Sequence, residues 1–250
     1  MNGQMIRTLQ SREELTMSRE ELRKRGLDFT DPKRTQLWRF FYRLRFRQPA
    51  PDVDFIKSWD VANAARMIEN AVPNTDTPIL DMGCYNSEIL YVLDAMGYGK
   101  LHGCDLNPLC TWMPYWSRIH YAVSDLTHTR YPDHFFGAIT CLSVIEHGVP
   151  VEPLVKEVRR LLRPDGVFIV TTDYDATGHV HSLAKNLLVF GREWKIFTPE
   201  DVKDLISQFQ RVGFSLLCPQ TNEDTHSQCP IQWNGENYTF TLVYLKAPCA

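Results

Sequence analysis

From Phe55 onward the chain alternates between two hydrophobic periodicities, and this alternation restricts its fold more than any other feature. FIKSWDVANAARMIENAV (55–72) has helical spacing and PILDM (78–82) is a short apolar strand. NSEILYVLDAMGY (86–98) returns to helical spacing, with Ile89, Leu90, Val92, Leu93 and Met96 on one face. LHGCD, RIHYAVSD and FGAITCLSV follow as strands two to four, and VFIVTTDY as a fifth. Before the fifth strand, PVEPLVKEVRRLLRPDG reads as an amphipathic helix stopped by Pro164 and Gly166. TPEDVKDLISQFQRVG reads as another helix, with Thr198 as N-cap, Pro199 at the first helical position and Gly213 as its stop. FSLLC and NYTFTLVYLKA then close the chain as strands joined by a polar loop. Strands alternating with helices imply a parallel sheet covered on both faces, and two final strands in succession imply an antiparallel edge. The irregular stretch 174–194 exceeds an ordinary connection and is a candidate functional insertion.

Residues 1–50 have a different texture. SREELTMSREELRKR is charged and helix-favouring, and both Ser11 and Ser18 stand where a helix could start. In TQLWRFFYRLRFRQ, Trp38, Phe40, Phe41, Tyr42, Leu44 and Phe46 are interleaved with Arg39, Arg43, Arg45 and Arg47. One reading is a surface that docks on a membrane or an anionic partner. The preferred one is a helical lid with solvated arginines, because apolar and basic residues do not separate by face. QPAPD at 48–52 ends the segment as a linker, dividing an N-terminal helical extension (1–50) from a main domain (51–250).

Bulk properties remove several classes. The 250 residues suit one decorated α/β domain, and a formal net charge of −3 supplies no field for nucleic acid, so no nucleic-acid partner is expected. The polar opening MNGQMIRTLQSREEL lacks the apolar core of a secretory signal. No stretch approaches the ~18 apolar residues that span a bilayer. The seven cysteines form no CxxC pair and lack zinc spacing, so reduced thiols in a cytoplasmic protein and no metal are expected.

Ligands of such sheets sit across the carboxyl ends of the strands, and the chemically capable residues fall there. The first strand ends Ile79-Leu80-Asp81-Met82-Gly83-Cys84. Asp81 can organise the turn or meet an ammonium, and Gly83 allows close backbone approach. The second strand ends at Asp105, roughly two dozen residues on, the spacing at which a carboxylate meets ribose hydroxyls. The third ends Ser124-Asp125-Leu126, pairing a polar acceptor for an exocyclic amine with an apolar face for a purine. The fourth runs into Ser143-Val144-Ile145-Glu146-His147-Gly148.

With these residues the chain resembles the class I S-adenosylmethionine (SAM)-dependent methyltransferases over roughly residues 55–245. Their first motif reads as an apolar pair, Asp, any residue, Gly, any residue, Gly, any residue, Gly. Here it is Leu80-Asp81-Met82-Gly83-Cys84-Tyr85-Asn86-Ser87, with Tyr85 and Ser87 in place of the second and third glycines. The resemblance implies a Rossmann-like seven-stranded sheet, mostly parallel, with an antiparallel last strand. It implies SAM as cofactor, with Asp105 and Leu106 at the ribose, Asp125 and Leu126 at the adenine, and Ser143 under the methyl donor. Lys57 and Trp59 are candidates for contact with the cofactor's carboxylate. Tyr85 could cover the methionine moiety, and Asn86 or Ser87 could cap the next helix.

KSWD at 57–60, CYNSEIL, SVIEHGV, TTDY, WKIFTPEDV and WNGENYTF further resemble methyltransferases of bacterial polysaccharide and glycan biosynthesis. That implies a hydroxyl or amine of a sugar or glycan precursor as the small polar acceptor. His147 is the first candidate for the base, since an imidazole with an ordinary pKa of ~6.5 removes protons near neutrality. Glu146 is expected to support its loop. Asp173 and Tyr174 are candidates for acceptor contact, and Trp194, Lys195, Trp233 and Tyr238 for a sugar-binding wall. The rivals are a catalytically silent relative binding a partner through residues 1–50, and a nicotinamide oxidoreductase. Against the latter stands the absence of G-x-G-x-x-G after the first strand.

Overall fold

The computed structural model describes residues 6–28, 55–113, 118–178, 188–189, 192–217, 229–233 and 235–249. The aromatic–basic stretch 38–47 lies outside them, as does most of the 174–194 insertion. Among the described residues the main sheet has a seven-strand path: β1 (Arg7–Thr8), β11 (Glu236–Lys246), β6 (Leu162–Tyr174), β5 (Phe136–Leu142), β2 (Ile79–Met82), β3 (Leu101–Asp105) and β4 (Ile119–Val123). The run from β6 to β4 is parallel, and β11 lies antiparallel against β6. The order turns at β2, where the chain first moves outward to β3 and β4 and then returns to β5. A ligand is expected above the carboxyl ends at such a switch point.

Period-two alternation splits the sheet between two cores. Ile79, Leu101, Ile119, Ala138, Ile169 and Leu242 pack beneath α1 (Arg12–Lys24), α2 (Ser58–Ala71) and α3 (Ile89–Ala95). Leu80, Cys104, Ile139, Phe168, Val170 and Val243 pack against α4 (Val151–Leu161) and α5 (Pro199–Arg211) on the other face. Helix α1 buries Leu15, Ser18, Arg19 and Leu22, a single stripe at helical spacing, against α2. Its N-cap is Ser11, which accepts the Glu14 N–H, and Ser18 lies inside the helix instead of starting one. Thr198 and Asp201 form a reciprocal capping box at the start of α5.

Three features depart from the sequence reading. The helix ending at LLRPDG stops at Leu161, and Leu162 already pairs with Phe136, leaving Arg163–Gly166 as an irregularity in β6 with Asp165 in the left-handed region. Pro164 has no N–H to continue the helix ladder, which favours this exit. The polar loop before β11 contains β10 (Ile231–Trp233), paired back onto Glu236–Tyr238 through a tight turn at Gly235. Residues 6–10 supply β1, and Leu9 donates its N–H to Phe240 O (2.9 Å). β1 and β9 (Ser215–Leu216) each cover part of β11, so its length is shared between the two ends of the sequence. Within 174–194, β7 (Leu188–Val189) pairs with β8 (Arg192–Glu193).

Candidate functional site

The turn after β2 is built by close contact. Gly83 has a φ of +82°, and a Cβ there would lie 2.3 Å from Val144 Cγ2, so both the backbone and the neighbouring loop demand glycine. Gly83 and Cys84 both donate N–H groups to Cys104 O (2.8 and 3.2 Å), which seats the turn on the end of β3. At Gly103 a Cβ would meet Cys84 Sγ at 2.8 Å and Leu90 Cδ1 at 2.9 Å. Close packing of the turn and α3 on the sheet therefore depends on a glycine in β3.

Asp81 is buried, and its Oδ1 accepts the Thr140 hydroxyl at 2.7 Å. Its Oδ2 is a buried oxygen without a hydrogen-bond partner in the protein. Burial pushes its pKa up to about 7, opposed by the hydroxyls of Thr140 and Ser87. Asn86 stands exposed with a φ of +62°. Neither Asn86 nor Ser87 caps α3: Glu88 takes the N-cap position, and it makes no side-chain capping bond.

Asp105 faces this turn from β3. Its Oδ2 accepts the Tyr85 N–H (3.0 Å) and its Oδ1 the Asn107 N–H (2.8 Å), each oxygen keeping a lone pair for a further donor. Tyr85 itself is half-buried against the core. Leu106, next to Asp105, is 50% exposed and Val123 is 52% exposed. Asp125 is exposed and accepts both the N–H and the hydroxyl of Thr127. Leu126, by contrast, is 5% exposed and belongs to the core under α4. Leu106 and Val123, not Leu126, present apolar surface at this edge.

A second group of polar residues gathers above β5 and β6. Ser143, at a φ of +52°, donates its hydroxyl to Asp60 Oδ2 (2.9 Å), which also accepts the Thr171 hydroxyl (3.2 Å). Glu146 accepts the Thr172 hydroxyl through Oε2, and its carbonyl takes the Lys195 N–H (2.8 Å), in keeping with support of the loop. Asp173 Oδ2 accepts the indole N–H of Trp194 at 2.7 Å. Lys57 supplies positive charge to Asp60, Glu146 and Asp173, with its Nζ 4.2 Å from the centre of the Phe240 ring. All three carboxyls are buried, and burial raises all three pKa values, that of Asp60 to about 6. Asp60 Oδ1 and Asp173 Oδ1 have no hydrogen-bond partner. His147, in a 3-10 turn over Ile145–His147, is brought down to about 4 by burial and by Lys57. The segment Trp194–Phe197 roofs the group, with Phe197 donating its N–H to Asp173 O (2.9 Å).

Three residues expected near these groups fall elsewhere or play another part. Trp59 is buried, with its N–H given to Glu14 of α1 (3.1 Å) and the Arg7 guanidinium 5.8 Å from its ring centre, so it packs the extension. Tyr174 lies on the opposite sheet face from Asp173 by strand alternation, and packs in the core of α4 and α5. Lys195 is exposed and pairs with Asp201. Trp194, Trp233 and Tyr238 do meet, with ring centres 4.9 Å and 5.5 Å from Trp194. Asp60 is the residue the sequence reading passed over. It stands in the KSWD segment with Lys57, but its role depends on Ser143, 83 positions away.

The unpartnered Asp81 oxygen, the spare capacity of Asp105 and the apolar edge beside it fit the ammonium, ribose and adenine of SAM. Comparisons with known proteins bear on this reading. Sterol 24-C-methyltransferase of Eremothecium gossypii is 24% identical over 122 residues, covering 46% of this chain and 31% of that protein. The chain thus spans about a third of that relative's length. The crystal structure of the cyclase SpnF superposes with a TM-score of 0.60 at 13% identity, covering 86% of this chain and 95% of that one. Geranyl diphosphate C-methyltransferase from Streptomyces coelicolor A3(2), solved with Mg2+, geranyl diphosphate and S-adenosyl-L-homocysteine, gives 0.55 at 13% identity, covering 74% and 80%. At such identities the structures show the fold alone. The sequence profile of the methyltransferase domain, however, matches residues 41–218, more than half of the length. The chain therefore belongs to the methyltransferase-domain family, with SAM as its cofactor.

Proposed function

We propose that this domain methylates a small polar acceptor, a hydroxyl or amine of a sugar or glycan precursor, at the group formed by Lys57, Asp60, Glu146, His147 and Asp173. Asp81, Gly83, Tyr85, Asn86, Asp105, Leu106, Asp125 and Ser143 line the cofactor half of the site in this reading. The observation that carries it is the polar lining above β5 and β6: three buried carboxyls, two with an oxygen lacking any protein donor. Such oxygens suit an acceptor rich in hydroxyl or ammonium donors. A sterol has almost none to offer, and the sterol methyltransferase shares less than half of this chain. Of the expected aromatic wall, Trp194 and Tyr238 are buried in the core, and Trp233, which packs on Trp194, is the one of the three exposed enough to meet a sugar ring.

Bound beside this lining, SAM supplies a methyl carbon already activated on a sulfonium. The protein's part is to hold the acceptor atom in line and to keep water out. Asp173, fixed by the Trp194 N–H, and Asp60, fixed by Ser143 and Thr171, orient the acceptor through its hydroxyl or amino hydrogens. A ring nitrogen of His147 takes the proton released from the acceptor. With a pKa near 4 the imidazole is neutral at pH 7, the form that takes up a proton.

The test is methyl transfer from labelled SAM to a panel of nucleotide sugars and free sugars beside a sterol, read as the mass gain of one methylene. Transfer to a sugar that falls at least tenfold in His147→Gln is the expected result. Transfer to the sterol alone would overturn the reading.

A further inference from the structure

The first strand-to-helix junction is held from outside the matched family span. Glu88 sits at the N-cap position of α3, one residue beyond the Tyr85–Ser87 loop. An N-cap side chain ordinarily turns inward to bond the exposed N–H groups of its own helix. Glu88 does not. Its carboxylate is taken in a two-point contact by Arg19 of α1, Nη1 to Oε1 at 2.8 Å and Nη2 to Oε2 at 2.9 Å. The same guanidinium donates from Nε to Ser58 Oγ (2.9 Å) and from Nη1 to Asp28 Oδ1 (3.2 Å). Arg19 is 2% exposed and Glu88 7%, so water screens this contact little.

We infer that Arg19 is a positioning residue of the cofactor site, acting through Glu88 on the turn and through Ser58 on the start of α2. The inference rests on placing the cofactor at the Asp81–Gly83 turn. A planar guanidinium in two-point contact fixes direction as well as distance. Through Glu88 it sets where the Tyr85–Ser87 loop ends, and so where the Tyr85 N–H meets Asp105. Through Ser58 it holds the residue between Lys57 and Trp59, two positions before Asp60 at the start of the same helix. One side chain of the N-terminal helix therefore ties the cofactor half of the site to the acceptor half. The family profile begins at residue 41, so α1 and Arg19 lie outside the matched span.

The test is calorimetric binding of S-adenosylhomocysteine by the full chain, with amide hydrogen exchange over residues 85–90. Glu88→Gln and Arg19→Lys each keep part of the contact, and Arg19→Met removes it. Glu14→Gln serves as the control, since it removes the charge from the α1 bond to Trp59 without touching Glu88. Loss of a charged, buried hydrogen bond predicts affinity reduced about tenfold or more in Arg19→Met, with Arg19→Lys intermediate. Exchange over 85–90 rises in the same order, while Glu14→Gln changes affinity less than about twofold. Should Arg19→Met fail to fold, Glu88→Gln decides. Wild-type affinity in a folded Glu88→Gln, or equal loss in Glu14→Gln, overturns the inference. Asp105→Ala is run in parallel: wild-type affinity there removes the placement of the cofactor itself, a distinct failure.

Discussion

The two halves of the carboxyl edge handle acidic side chains in opposite ways. Above β3 and β4, Asp105 and Asp125 stand partly or fully in solvent and accept main-chain N–H groups, those of Tyr85 and Asn107 for Asp105 and that of Thr127 for Asp125. Above β5 and β6, Asp60, Glu146 and Asp173 are buried, accept hydroxyls and an indole, and share Lys57. Main-chain donors cannot be varied by substitution, so the first half is suited to a cofactor that stays the same. Side-chain donors can be exchanged one at a time, which suits the second half to the acceptor proposed for it. Asp81 is as buried as the second group and bonded to Thr140 on β5, yet it is part of the turn that faces Asp105.

The largest expected effect breaks the first half. Asp105→Ala strips the acceptor from two backbone N–H groups and from the ribose, and affinity for S-adenosylhomocysteine falls on the order of a hundredfold by calorimetry. Next, Gly83→Ala forces a Cβ into Val144 at a left-handed φ, lowering stability by about 1–3 kcal/mol in denaturant unfolding. Asp173→Asn sharpens the contrast: methyl transfer drops about tenfold while affinity for S-adenosylhomocysteine stays within about twofold. Loss of cofactor affinity in that variant would merge the two halves into one.

Two smaller effects follow pH. The acid limb of kcat/KM lies near pH 4, not near 6.5, because His147 stays neutral down to that range; a limb near 6.5 that survives His147→Gln assigns the proton to another group. Asp60 has a folded pKa of about 6, above its ordinary 3.8, so the folded state holds the extra proton between these values. Its contribution is intact below pH 3.8 and is lost as pH rises through 6. Asp60→Asn should therefore gain on wild type by on the order of 1–3 kcal/mol between pH 4 and pH 7, and a constant difference would contradict the assignment.

Much of this layout was legible in the sequence, for local reasons. Each parallel strand is an apolar run ending in an acid, a serine or a glycine, so strand ends and their residues could be read together. The separation of Asp173 from Tyr174 was available too, since neighbours in a strand face opposite sides. Other features have no local trace. The bond from Ser143 to Asp60, and the one from Arg19 to Glu88, 69 positions apart, depend on how α1 and α2 dock. A two-residue strand such as Arg7–Thr8 is too short to show alternation, and it exists because β11 leaves an edge to cover. The family resemblance puts Trp59 beside the cofactor's carboxylate, but in the fold it packs the N-terminal extension.

The division of the carboxyl edge is tested most directly by amide hydrogen exchange with and without S-adenosylhomocysteine. Protection is predicted at Gly83–Ser87, at Asp105–Asn107 and around Asp125, with Asp173–Asp175 and Trp194–Phe197 unchanged. Protection confined to the β5 and β6 end, with the Gly83 turn and Asp105 exchanging as before, would contradict it.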